Sequence, residues 1–161
     1  MTPVIKICPI KQLYGILEQA EHPHTVAVLC SSYGVREARV PVPHILEIFD
    51  DVDREIPGRS LSAGAAQRIA HFVKNIGPEI ETVYVCCDSG ISRSSAIAAA
   101  VCRYFGISDS PIWENPKYQP NPLVFHLLGE SLGLSISDEL LDILIDTNRS
   151  AFRNAVKRKA P

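Results

Sequence analysis

The chain has 161 residues and a mass of 17.7 kDa, the size of one ordinary domain, which leaves little room for a second enzyme module. A hydrophobic share of 46% and a charged share of 21% support a real core and exclude disorder as the dominant state. The formal net charge of −2 gives no basic excess, so nucleic acid is not an expected partner, and no apolar run is long enough for a membrane span. Residues 4–8 read as a short strand. Residues 9–20 read as a helix, with Leu13, Ile16 and Leu17 at helical spacing. Residues 25–30 are a continuous apolar run of strand length, and residues 44–49 suggest a third strand. Residues 62–76 predict a helix carrying Ile69, Phe72 and Val73 on one face and stopped by Gly77-Pro78. Residues 82–86 are β-branched and aromatic, the composition of a buried strand. Residues 94–105 form an Ala-rich helix, with Gly106 placed to end it. The Pro-rich stretch 111–122 holds Trp113 and Tyr118 and predicts an ordered loop rather than a tether. Residues 121–132 and 137–157 complete the set as helices. Strands buried on both faces and alternating with helices imply an α/β fold, a largely parallel central sheet flanked by helices. No repeat, low-complexity tract or linker divides the chain, so a single domain over 1–161 is expected.

The five cysteines are Cys8, Cys30, Cys86, Cys87 and Cys102. An odd count without a C-x-x-C pair speaks against a disulfide framework and a zinc knuckle. Reduced thiols in a cytoplasmic protein fit better. The first residues carry no charged lead into an apolar stretch, so no secretory signal is expected. His22 and His24 flank Pro23 in a turn, and His71 and His126 have no metal-ligand partners at useful spacing. No metal and no cofactor are therefore assigned.

The informative stretch is 83–95, which reads as strand, tight loop and helix. In an open α/β sheet, ligands bind beyond the carboxyl ends of the strands. A loop there that feeds a helix points several backbone N–H groups and the positive dipole end at one spot, which suits an anion. Gly90 lets the backbone curl inward without a Cβ clash. Arg93 stands where the helix begins, and its planar fork can grip two phosphate oxygens. Cys87 stands six residues before Arg93. Facing those donors, its thiol would ionise more readily than a free cysteine, whose pKa is about 8.5. Nucleophile, amide cradle and arginine together make a site for attack on a phosphoryl group.

Cys87-Asp88-Ser89-Gly90-Ile91-Ser92-Arg93-Ser94 resembles the C-x-x-G-x-x-R-S signature loop of the cysteine-dependent protein tyrosine phosphatases. The short chain and the Ala-rich helix after the loop are similar to the dual-specificity branch and its compact bacterial relatives. The resemblance implies a phosphocysteine intermediate on Cys87, a phosphoryl clamp in Arg93, and a cradle made by Asp88, Ser89, Gly90, Ile91 and Ser92. It also implies that Ser94 hydrogen-bonds the sulfur and helps it leave in the second step. The plain alternative for Ser94 is a helix-start residue satisfying backbone donors. One departure is Cys86, where the family usually has His. Cys86 either points into the core or is a redox partner for Cys87, although neighbours in one strand face opposite ways.

The leaving oxygen needs a proton, which a positioned carboxylic acid supplies. Asp50, Asp51 and Asp53 follow the strand ending at Phe49 and are the candidates. The resemblance favours Asp51, the second of two adjacent aspartates. Asp88 is expected to be exposed or to modulate substrate preference rather than to be catalytic. Trp113, Tyr118 and Asn121 either wall the pocket or are simply packed. The basic run Arg149, Arg153, Lys157, Arg158 and Lys159 reads as a solvated helix end. The expected substrate is a phosphorylated protein, phosphotyrosine first, or a small phosphoester. The alternatives are a non-protein phosphate, such as an RNA 5′-phosphate or a phosphoinositide, and an inactive phosphate-binding module.

Overall fold

The computed structural model describes residues 2–160. Four strands, β1 (Val4–Pro9), β2 (Thr25–Ser31), β3 (His44–Ile48) and β4 (Thr82–Cys87), form one sheet in the order β1-β4-β2-β3, and every pairing is parallel. The two central strands are the ones with unbroken apolar runs. All of β2 is buried, as is β4 from Val83 onward, because helices cover both faces of the sheet. The edge strands alternate more, and Val4 and Ile48 are exposed on them.

Helix α1 (Ile10–Gln19) and a 3-10 turn at Glu37–Arg39 cover one face, where Leu13, Tyr14 and Leu17 pack against Ala27, Leu29, Tyr84 and Cys86. Helices α2 (Ala63–Lys74), α3 (Arg93–Tyr104) and α5 (Pro122–Ser131) cover the other face and meet Val26, Val28, Val83 and Val85. The two-residue period of β4 thus sends Cys86 to the α1 side and Cys87 to the α3 side. Helix α3 is buried on all sides from Arg93 to Cys102. Its run of alanines lets the helix axis approach both the sheet and α5, which a wider side chain would prevent.

The Pro-rich stretch holds more structure than a loop. It contains a single-turn helix, α4 (Ser110–Trp113), with Pro111 in its first turn, where a missing N–H costs nothing. Trp113 is buried; its Nε1 donates to Asp109 Oδ2 at 2.9 Å, and its ring meets Phe125 edge-on at 5.1 Å. Asn121 caps α5 by accepting from the Val124 N–H at 3.2 Å. Ser137 caps the long α6 (Asp138–Lys159) in the same way through the Leu140 N–H at 3.1 Å. Cys87 ends β4 rather than opening the loop, because the parallel ladder with β1 runs on to Pro9 opposite it. Among the described residues, no helix is long and apolar enough to cross a membrane.

Phe125 is fully buried where α5, α3 and the Trp113 ring converge. Phe125→Ala is expected to lower the unfolding free energy by about 3–5 kcal/mol, the usual cost of an aromatic cavity, as read from urea denaturation.

Candidate active site

The site forms where β4 hands over to α3. Cys87 is the last residue of the strand and Arg93 the first of the helix, so the five residues between them must reverse the chain. Gly90 makes this possible. Its φ is +70°, and a Cβ there would lie 2.7 Å from the Pro9 nitrogen and 2.9 Å from the Cys8 carbonyl carbon. The turn is therefore pressed directly onto the end of β1, and no residue with a side chain fits without moving the backbone.

That turn wraps the sulfur. The Gly90 N–H donates to Cys87 Sγ at 3.2 Å, and Ser94 Oγ lies 3.1 Å from the same atom. Burial pushes the thiol up, but the Ser94 hydroxyl and the N–H groups of Gly90 and Ile91 outweigh it and hold Cys87 below the ordinary cysteine value. Cys30, Cys86 and Cys102 go the opposite way. Burial raises Cys30, and burial with Asp109 nearby pushes Cys102 up to about 11. Cys86 is raised by its hydrogen bond with Cys8 and by burial; the two sulfurs are 3.4 Å apart across the β1–β4 pairing. Cys86 is a core thiol paired with Cys8, and the alternative of a redox partner for Cys87 fails because the two sulfurs lie on opposite sides of the sheet.

Arg93 is buried despite its charge, and both of its Nη atoms are engaged. Its Nη1 donates to the Phe49 carbonyl at 2.6 Å and to Ser32 Oγ at 3.0 Å, and its Nη2 to Asp88 Oδ2 at 3.0 Å. Asp88 is exposed, as expected, and its carboxylate is engaged. It also accepts from Ser31 Oγ at 2.6 Å and from the Ser32 N–H at 3.0 Å. Its partial burial raises the carboxyl, but these donors and Arg93 more than reverse that, so Asp88 stays ionised. Within the loop, Ser89 and Ile91 are exposed and Ser92 is half-buried. The loop thus holds a carboxylate beside the guanidinium.

The three aspartates after β3 separate cleanly. Asp50 pairs with Arg59 at 3.0 Å, and that bond holds its carboxyl below the usual range. Asp53 is exposed, and no side-chain hydrogen bond reaches it among the described residues. Asp51 alone reaches the signature loop. Its Oδ1 accepts from Ser92 Oγ at 2.9 Å and from Asn121 Nδ2 at 2.8 Å.

Asn121 is the residue that sequence reasoning placed only loosely. Besides Asp51 it donates from Nδ2 to the Val52 carbonyl at 2.9 Å and from its N–H to the Ser92 carbonyl at 3.2 Å, while its Oδ1 caps α5. One buried amide therefore joins the acid-bearing loop, the signature loop and a helix start. Its visible signal was an Asn followed by Pro and an apolar run, the mark of a helix cap. Trp113 and Tyr118 are held by α6 instead, where Asn148 Nδ2 donates to their carbonyls at 3.1 and 2.8 Å.

Neither a protein-family model nor a curated protein matches the sequence. Solved structures do. The chain is similar to human DUSP28, with 13% identity, 96% of each chain covered and a TM-score of 0.51. The fold is that of the protein tyrosine phosphatases, in its dual-specificity-like form. Two further structures align over most of their length at lower scores. Tk-PTP in its active form is 14% identical over 90% of each chain, with a TM-score of 0.44. PTPMT1 in complex with PI(5)P is 16% identical over 92% of this chain and 91% of that one, with a TM-score of 0.43. The tyrosine phosphatase fold puts the β4–α3 turn at the carboxyl edge of the sheet, where the residues above converge.

Two measurements test the electrostatics of the site. A lowered Cys87 pKa means that the thiolate persists as pH falls below the ordinary thiol value and is lost only on crossing the lower one. Alkylation of Cys87 by iodoacetamide, followed by mass spectrometry, is therefore expected to inflect below about 8.5, and Ser94→Ala to move the inflection upward. Asp88→Asn removes the charge that competes for Arg93. Inorganic phosphate is expected to bind this variant about tenfold more tightly at low salt, with the gain shrinking as ionic strength rises.

Proposed function

We propose that the protein is a metal-independent phosphomonoester hydrolase of the tyrosine phosphatase type, acting through a phosphocysteine on Cys87. The observation that carries this reading is the Cys87 sulfur held by the Gly90 N–H at 3.2 Å and the Ser94 hydroxyl at 3.1 Å, inside a loop that ends on Arg93. A thiolate so held is a nucleophile at neutral pH, and the same donors surround the position of a transferred phosphoryl group. Phosphotyrosine is the leading substrate, with dual specificity as the wider reading, and one domain carries the activity. The free state of all the cysteines fits a reducing, cytoplasmic setting.

In the first step the Cys87 thiolate attacks phosphorus, and the bond to the leaving oxygen breaks. Arg93 balances the equatorial oxygens once the phosphoryl group takes the place of Asp88 on its Nη2. Asp51 gives its proton to the leaving oxygen. Both donors reaching its carboxyl go to Oδ1, so Oδ2 is left to carry that proton. Asp50 is a poorer acid, because Arg59 keeps it ionised. In the second step the Asp51 carboxylate takes a proton from water as that water attacks the phosphocysteine, and Ser94 donates to the departing thiolate. The Arg93–Asp88 ion pair favours a second reading, a phosphate-binding module without turnover. Release of phosphate from an aryl phosphate in the presence of EDTA separates the two.

Cys87→Ser is expected to abolish phosphate release while leaving the circular dichroism spectrum and the melting temperature near wild type, and Cys86→Ser to retain most activity. Equal loss from both would place the nucleophile elsewhere. Asp51→Asn is expected to slow phosphotyrosine by about 10²–10⁴-fold and p-nitrophenyl phosphate far less, because a nitrophenolate leaves nearly unaided. The basic limb of its pH–rate profile should flatten. Asp50→Asn should keep both the basic limb and the leaving-group insensitivity of the wild type.

A further inference from the structure

From Asp51 a charged groove runs beside the signature loop, and the reaction just described does not use its arginines. It encloses about 860 Å³ between the acid-bearing loop and one face of α6, with Ser92 and Asp51 among its lining. That volume is typical of a ligand cleft. Arg54 and Arg59 stand on the loop wall, and Arg149 and Arg153, one helical turn apart, stand on the α6 wall. Only Asp51 and Asp53 oppose them among the lining residues. Arg59 is already paired with Asp50. Among the described residues, Arg54, Arg149 and Arg153 have no carboxylate within ion-pair distance. Arg153 donates only to Ser150 Oγ of its own helix, at 3.1 Å.

The helix dipole does not account for these residues. The last turn of α6 already carries Lys157, Arg158 and Lys159, and Arg149 lies well upstream, where the dipole no longer acts. Nor does packing account for them, because the same helix face presents Phe152 at 46% exposure. A row of unpaired guanidinium groups with an exposed aromatic ring, running from the mouth of the phosphate loop, matches an extended chain that offers an anion beside a phosphorylated residue.

We infer that this groove is a subsite for an acidic residue flanking the phosphorylated residue of a peptide substrate, read by Arg149 and Arg153 with Arg54 opposite. This inference rests on the phosphatase reading above and names the substrate class for the same site.

The test is a set of phosphotyrosine peptides with Glu at each position from −3 to +3, each paired with its Gln isostere. At one or more positions the Glu peptide is expected to exceed its Gln partner about three- to tenfold in kcat/KM, with the ratio falling as salt rises. Arg149→Glu combined with Arg153→Glu should bring that ratio below one and give a Lys peptide the advantage. No Glu–Gln difference at any position, or an unchanged ratio in the double variant, overturns the inference. If a small aryl bisphosphate gains over its monophosphate through these arginines while the peptides do not, the occupant is a small molecule and the peptide assignment falls. If no aryl phosphate or peptide is hydrolysed, the phosphatase reading fails by itself. Fluorescence anisotropy of the same peptides on the Cys87→Ser protein then decides the groove, which stands on an arginine-dependent Glu preference and falls without one.

Discussion

Burial makes ionising a sulfur costly, and the donors turned onto Cys87 offset that cost. Desolvation alone would push Cys87 upward, as it does Cys30 and Cys102. Cys87 differs because the chain turns back over it immediately and supplies donors from Gly90, Ile91 and Ser94. That turn needs a positive φ at Gly90 and bare backbone at the end of β1 for the glycine to rest on. It also needs α3 to start close to the sheet, which its alanines allow. Strand order, a single glycine and the smallness of one helix face all serve the charge state of one atom.

Asn121 links that atom to the groups that would act with it. The acid-bearing loop and the signature loop come from distant parts of the chain, and Asn121 binds both while also starting α5. Because the amide is buried, each of its bonds is expensive to leave unmade, so the three segments are held in one relation to each other. Ser92 contributes to the same junction. It stands at the start of α3 without capping it, and its hydroxyl goes to Asp51 instead. The helix forgoes a local cap in favour of a contact between loops.

The Arg93–Asp88 pair is the tension within this arrangement. A carbonyl and a hydroxyl oxygen fix Nη1, and a loop carboxylate occupies Nη2. The carboxylate neutralises a buried cation.

Much of this was legible in the sequence because it is local. The strands and helices follow from periodicity over short windows, and the signature loop is contiguous, so Cys87, Gly90 and Arg93 declare their relation by spacing alone. The central position of β2 and β4 was foreshadowed by their unbroken apolar runs. What the sequence could not disclose depends on segments that meet only when the chain closes on itself. Cys8 and Cys86 are 78 residues apart and become neighbours because β1 pairs with β4. Asp50, Asp51 and Asp53 are alike in sequence; tertiary contacts alone give the first to Arg59 and the second to Ser92 and Asn121. Asp88 read as exposed or as modulating substrate preference, and it is exposed; only the fold brings Ser31 and Ser32 at the end of β2 to its carboxylate. Arg149 and Arg153 read as part of a solvated helix end, and only the packing of α6 beside the acid-bearing loop turned that face into the wall of a groove. Local patterns are set by bond geometry and side-chain preference within a few residues, whereas pairing between distant side chains is set by the order in which strands and helices pack.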